Sequence, residues 1–224
     1  MLILNIIEYN AFMKTNENKF HKKGAEAVLF EDTIEGERVL IKKRKPKSYR
    51  NSKLDLEIRK KRTKSEAKLL REASKVVNTP KVISVNEELS EIVMDYIPGK
   101  PLKLVLEKKS FLCTEAGEKI RKLHEVGIIH GDLTTSNIIY VEKVDGKTEQ
   151  RIEKNGPLFF IDFGLGYFSK KIEDRATDLV VFKKTFNATH SIIKNGWAKV
   201  MKGYRPGKEL EERMKLVEKR ARYH

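Results

Sequence analysis

The stretch His130-Gly131-Asp132-Leu133-Thr134-Thr135-Ser136-Asn137, followed later by Asp162-Phe163-Gly164, decides how this chain is read. Asp132 and Asn137 lie five residues apart, and Asp162 comes twenty-five after Asn137. A β-branched apolar run adjoins each half, Ile138 to Glu142 after the first and Leu158 to Asp162 leading into the second. Phosphoryl transfer from a nucleotide requires a carboxylate that orients or deprotonates the acceptor, and oxygen ligands for a Mg²⁺ bridging the phosphates. Asp132, Asn137 and Asp162 supply that set. Either motif alone arises readily by chance, since a loop Asp usually caps a helix or satisfies a turn. Both together, in this order and spacing and beside strands, carry the argument.

The remaining parts stand upstream in order. Val39-Leu40-Ile41-Lys42 reads as a strand delivering a lysine to nucleotide phosphates, with Lys43 as the competing candidate. Glu66, in the helical Arg62-Thr63-Lys64-Ser65-Glu66-Ala67, is the natural anion to hold that lysine. Lys23-Gly24-Ala25-Glu26-Ala27 occupies the place of a phosphate-covering loop, and its small residues let backbone N–H groups approach phosphate oxygens. As a motif it is weak and counts by position only. Val93-Met94-Asp95-Tyr96-Ile97 is the expected hinge, with the backbone at Asp95 and Ile97 reading the adenine edge. His124, on the apolar side of its helix, is expected to be a satisfied core side chain, and His130 to brace the loop rather than titrate.

Across 224 residues, 47 Lys and Arg stand against 32 Asp and Glu, a net charge of +15 in a chain 35% charged and 39% hydrophobic. That composition excludes a collagen-like chain and argues against a membrane span and against wholesale disorder. An excess of this size favours an anionic partner. Its distribution is uneven: Lys42 to Lys64 holds twelve Lys or Arg against Asp55 and Glu57, a local +10, and the tail ending Lys219-Arg220-Ala221-Arg222 forms a second basic run. Cys113 is the only cysteine, so neither an intrachain disulfide nor a multi-thiolate zinc site can form, and a cytoplasmic location is the expectation.

The element pattern predicts strands at Ala27 to Ile34 and Arg38 to Lys43 around a Glu35-Gly36 turn, a helix from Leu54 to Val77, and strands at Lys81 to Val85 and Glu91 to Asp95. After Pro98-Gly99 the pattern turns helical. Helices are expected over Pro101 to Lys109, from a Thr114 N-cap to a Gly127 stop, over Asp174 to Ile193 and over Glu209 to Ala221. The result is an α+β, two-lobed fold: an N-terminal segment at 1–13, a β-rich lobe at 14–97 and a small helical lobe at 98–224, sharing a cleft.

On these residues the chain resembles the protein-kinase superfamily, and within it the small atypical kinase/ATPase of the KEOPS (EKC) complex. The segment from Lys42 to Ala67, with Pro46, Lys47, Tyr49, Arg50, Leu54, Asp55, Ile58, Arg62, Thr63 and Glu66, carries the resemblance together with Gly24 to Ala27, the His-Gly-Asp loop and Asp162-Phe163-Gly164-Leu165-Gly166. The resemblance spans roughly Gly24 to Arg222. It implies a bilobal kinase fold and ATP and Mg²⁺ as cofactors, with Lys42 and Glu66 anchoring phosphate, Asp132 as catalytic base, and Asn137 and Asp162 as metal ligands. It further implies a role in forming tRNA threonylcarbamoyladenosine beside a threonylcarbamoyl-transferase subunit, a small subunit on the first lobe, and tRNA, with no membrane partner. In some archaea that transferase is fused ahead of the kinase, and Met1 to Tyr9 is read as the end of such a linker.

Two departures from ordinary protein kinases matter. Gly131 stands where an Arg would grip an activation-loop phosphate, and no Ala-Pro-Glu follows Asp162. An ATPase, or a kinase with a narrow acceptor, is favoured over a general signalling enzyme. Three rivals stay open: a RIO-type ribosome-maturation kinase, which the Pro46 to Arg50 stretch argues against; a small-molecule phosphotransferase of the aminoglycoside type, for which too little chain follows Asp162; and an RNA-docking pseudokinase, disfavoured because Lys42, Asp132, Asn137 and Asp162 are all present.

Overall fold

The computed structural model describes residues 19–23, 26–142 and 147–221. The segment 1–13, Gly24 and Ala25, and Arg222 at the end of the tail lie outside the described residues. The chain parts into two compact units, one of residues 1–63 with 83–96 and the other of residues 64–82 with 97–224.

The first unit is an antiparallel sheet of β1 (Lys19–Lys23), β2 (Ala27–Ile34), β3 (Glu37–Arg44), β4 (Val82–Asn86) and β5 (Glu91–Asp95), in the order β1-β2-β3-β5-β4. β2 and β3 pair along their whole length, from Ala27 opposite Arg44 to Ile34 opposite Glu37. Glu35 and Gly36 both take positive φ, 52° and 80°, the geometry of the tight turn that matches strand twist. Side chains alternate across a strand, so Val39 and Ile41 reach one face, where they pack with Val93, Phe30 and Ile34. Lys42 falls on the other. Helix α1 (Ser52–Ala73) starts earlier than its apolar spacing predicts because Asn51 caps it: its side-chain oxygen accepts the Lys53 and Leu54 N–H groups at 3.1 and 3.3 Å.

The second unit buries a continuous core from the end of α1, α2 (Leu112–Glu125), α4 (Ile172–Thr189), α5 (Gly196–Tyr204) and α6 (Lys208–Arg220), with α3 (Lys147–Asn155) alongside. Phe160, Phe163, Phe182 and Phe186 are all buried there, each contributing roughly 1.5–3 kcal/mol against exposure. Short strands complete it: β6 (Lys100–Pro101), β8 (Ile138–Tyr140) and β9 (Leu158–Phe160) in one sheet, β7 (Ile128–Ile129) and β10 (Tyr167–Phe168) in another.

Several sequence expectations need correction. The helix expected over Pro101 to Lys109 is only a 3-10 turn, Leu102–Leu104: Pro101 is extended within β6, and the Lys103 N–H goes to the Thr135 carbonyl. Thr114 does not cap α2, which begins at Leu112; three-residue turns from Lys109, Ser110 and Phe111 satisfy its first N–H groups. The segment after Thr189, read as the end of one long helix and a loop, holds a helix of its own, α5. Its glycines hid it. A Cβ on Gly203 would collide with the Thr114 carbonyl and one on Gly117 with the Val200 carbonyl, so α2 and α5 cross in close backbone contact that only glycine permits.

Candidate active site

Two loops are clamped at both ends by strand pairing. Residues 130–137 run from β7 to β8, and residues 161–166 run from β9 to β10. Ile138 pairs with Phe160 and Tyr140 with Leu158 at one end, while Ile129 pairs with Tyr167 and Ile128 with Phe168 at the other. The ladder continues one step further, with Ile161 N–H donating to the Asn137 carbonyl at 3.0 Å. Asn137 and Asp162, distant in sequence, therefore leave the same end of one hairpin.

Within this frame Asn137 Nδ2 donates to the Asp132 carbonyl at 2.8 Å and to its carboxylate at 2.9 Å. An amide whose nitrogen is so committed turns its oxygen away from Asp132, which leaves that oxygen suited to a hard cation. Asp132 and Asp162 are both exposed. Asp162 Oδ1 accepts the Gly164 N–H at 3.2 Å, and its backbone sits at φ 62°, a left-handed conformation costing a non-glycine residue roughly 1–2 kcal/mol. Strain thus falls on a residue picked for metal binding. The donor pair, the Asp162 carboxylate and the Asn137 amide oxygen, fits Mg²⁺ chemistry.

The loop is held from behind by Asp178, which the sequence reading did not single out. Its carboxylate accepts the His130 N–H and the Gly131 N–H, each at 3.0 Å, and meets His124 Nε2 at 3.1 Å. His124 Nδ1 lies 2.9 Å from the Tyr204 hydroxyl. A carboxylate only accepts, so the chain runs Tyr204 O–H to Nδ1, then Nε2–H to Asp178. Burial would raise the Asp178 carboxyl, but the donors from His124 and the His130 backbone overcome it and hold it below the usual range. The signal in the sequence was a carboxylate just before the apolar run Leu179-Val180-Val181-Phe182.

His124 is a satisfied core side chain, as expected. His130 braces the loop: Nε2 faces the Ile161 carbonyl at 3.1 Å, Nδ1 faces the Asp132 N–H at 3.4 Å, and the ring lies 4.6 Å from the Phe163 ring. Burial pushes its pKa down, against the pull of Asp178 and Asp162. Thr135, buried in the same loop, bonds His190 Nε2 at 2.9 Å. Gly131 takes φ 78°, and a Cβ there would collide with the Leu165 carbonyl. The loop geometry itself excludes the Arg found in ordinary protein kinases.

The first unit holds Lys42, almost fully buried on β3, and Asp95 at the end of β5; the second holds Glu66, also buried, and Ile97. Glu26 is exposed and bound by Arg62 at 2.7 Å and Lys47 at 3.8 Å. The basic segment is thus less free than its charge suggests. Asp55 is its buried hub, accepting Arg59 Nε at 2.7 Å and the Lys47 N–H at 3.3 Å, with Arg50 at 3.5 Å; these donors, Arg59 foremost, lower its pKa. Lys43 pairs with Glu91 at 2.5 Å, which takes the competing candidate out of the lysine role, and Lys60 pairs with Glu88 at 2.6 Å. Lys45, Lys53 and Lys61 remain exposed.

Comparison with known proteins agrees with this geometry. The RIO domain family model matches residues 9–146. The chain is 39% identical to the KEOPS complex subunit Bud32 of Pyrococcus abyssi, over 92% of this chain and 96% of that one. It is 37% identical to a probable bifunctional tRNA threonylcarbamoyladenosine biosynthesis protein of Methanothermobacter thermautotrophicus, over 90% of this chain but only 36% of that longer one. Among solved structures, the Rio2 kinase–ADP/Mg²⁺–phosphoaspartate complex of Chaetomium thermophilum superposes with a TM-score of 0.63 at 13% identity, covering 96% of this chain and 75% of that one. WaaP in complex with acyl carrier protein gives 0.59 at 14%, covering 95% and 91%. The RIO-type kinase, kept open above as a rival, is therefore kin at the level of the domain. With catalytic-loop spacing, fold and sequence in agreement, the chain belongs to the Bud32 family of atypical, RIO-domain kinases and is an ATP-dependent phosphotransferase.

Proposed function

We propose that this chain transfers or hydrolyses the γ-phosphate of ATP with Mg²⁺, as the kinase/ATPase subunit of an assembly that makes threonylcarbamoyladenosine in tRNA. The observation that carries the chemistry is the Asp132–Asn137 pair at 2.9 Å set at the same hairpin end as Asp162. In this reading Asn137 and Asp162 hold Mg²⁺, which when bound neutralises phosphate charge, while the Asp132 carboxylate orients or deprotonates the attacking hydroxyl or water. Lys42 with Glu66 anchors phosphate, Gly24, Ala25 and Glu26 cover it, and the backbone at Asp95 and Ile97 reads adenine.

Hydrolysis, or transfer to a narrow acceptor, is favoured by the shortness of the span between Gly164 and α4. Only residues 165–171 precede α4, and Tyr167 and Phe168 are already spent on pairing with β7. No platform for an extended peptide is left in that span. The assembly reading rests on the relatives' names, a KEOPS complex subunit and longer bifunctional tRNA threonylcarbamoyladenosine biosynthesis proteins; tRNA contact rests on the exposed Lys45, Lys53 and Lys61. ATP turnover by the full chain, measured with and without tRNA, tests the proposal: Mg²⁺-dependent turnover that tRNA alters is expected, and absence of turnover in both conditions overturns it.

A further inference from the structure

A cavity of about 220 Å³ opens in the second unit beside Tyr204 and His124, which both line it. Its wall is rich in guanidinium groups: Arg121 from α2, Arg175 from α4, and Arg205 from the α5–α6 connection. Glu125 and Glu209 also line it, but Glu125 is bound to Arg121 at 2.8 Å. Glu173, two residues before Arg175, is taken by Arg213 at 3.1 Å and Arg220 at 2.8 Å. The Nε atoms of Arg121 and Arg175 are buried with no hydrogen-bond partner among the described residues. Arg205 is exposed on a left-handed backbone at φ 53°.

Guanidinium groups brought to one cavity from three elements repel one another, and an anion held between them relieves that repulsion. The Tyr204 hydroxyl is already given to His124, and burial pushes its pKa well above the usual phenol range, so it brings no charge to the cavity. The guanidinium forks suit carboxylate or phosphate oxygens. Two of them, Arg175 and Arg205, approach from different elements, which suits an anion with oxygens in several directions better than a flat carboxylate. The space is below the roughly 300 Å³ at which ligand pockets for drug-sized molecules begin, so a whole nucleotide does not fit.

We propose that this cavity binds inorganic phosphate, a product of ATP hydrolysis, through Arg175 and Arg205. Arg175 and Tyr204 line the same cavity, and from Tyr204 a hydrogen-bond chain passes through His124 to Asp178, which holds the His130 and Gly131 N–H groups.

The test is calorimetric titration of the full chain with sodium phosphate, with ADP and Mg²⁺ saturating to occupy the nucleotide site and ionic strength held constant. Wild type is expected to bind one phosphate. Arg205→Gln should weaken binding about tenfold, the loss of one charge-assisted contact, and Arg175→Gln with Arg205→Gln should abolish it. Lys183→Gln, which breaks only the Lys183–Glu218 pair, should bind as wild type does. No phosphate binding by wild type, unchanged binding by Arg205→Gln, or equal binding of acetate would each overturn the proposal. Arg205 is exposed, so its variant decides even if Arg175→Gln fails to fold.

Discussion

Asp178 accepts the backbone N–H of Gly131 at 3.0 Å, across 47 residues of sequence. The same carboxylate holds the His130 N–H, so the shape of the catalytic loop is fixed by a group that never reaches its reactive face. Asp178→Ala leaves two backbone donors and His124 without their acceptor in the core. At about 1–3 kcal/mol for each buried group stranded, partly relieved by water, a loss on the order of 3 kcal/mol is expected. Denaturant unfolding checks the loss, and Asp178→Asn, which keeps one accepting oxygen, should recover part of it.

The loop also sets an acid limit on stability. The folded pKa of His130 is depressed, so the unfolded chain binds this proton more readily. Stability from this group is fully present above the unfolded value of about 6.5 and is lost as pH falls from there towards the folded pKa. Asp178 and Asp55, also depressed, add a second loss below about 4, the ordinary carboxylate value. Melting temperature measured from pH 8 to pH 3 should fall in these two windows, and His130→Gln should flatten the first. A profile level from pH 6.5 down to 4.5 would contradict the account.

Restoring the Arg of ordinary protein kinases should harm this protein. Gly131→Arg places a side chain at φ 78° against the Leu165 carbonyl. The backbone cost alone is roughly 1–2 kcal/mol, with the collision added to it. Both Gly131→Arg and Gly131→Ala are expected to lower melting temperature and ATP turnover, because Leu165 follows Asp162 by three residues on the facing loop. A neutral Gly131→Ala would show that the loops do not approach as described.

How much of this was legible beforehand follows from where each constraint resides. The β2–β3 hairpin and the start of β5 were readable because alternation is a local pattern, and loop spacing singled out Asp132, Asn137 and Asp162, which the fold brings to one hairpin end. Asp178 was not, since its role depends on a helix packing against a loop 47 residues away. Helix α5 was hidden because Gly196 and Gly203 lower helix propensity, whereas in the fold Gly203 lets the α2 and α5 backbones meet and Gly196 makes room for the Phe186 ring. The basic segment misled in another way: charge counts in sequence do not show that Glu26, Glu88 and Glu91 come back to pair with it.

That pairing refines the expectation for tRNA. Lys60 and Arg62 hold Glu88 and Glu26, so reversing them disturbs the unit itself, whereas Lys45, Lys53 and Lys61 are exposed. Lys45→Glu with Lys53→Glu and Lys61→Glu should weaken tRNA binding and reduce its log–log salt slope by about 2–3, roughly 0.7–0.9 per lost phosphate contact. ATP binding should stay unchanged. Filter binding across a salt series measures both, and an unaltered slope would assign these cations to a protein partner.

The central claim is that Asp162 and Asp132 divide metal holding from acceptor activation, and Mg²⁺-dependent ADP release measured alongside nucleotide affinity tests it most directly. Asp162→Ala is expected to abolish turnover and the Mg²⁺ dependence of ATP binding together. Asp132→Ala is expected to abolish turnover while ATP binds with Mg²⁺ as in wild type. Near-normal ADP release by either variant would contradict the account.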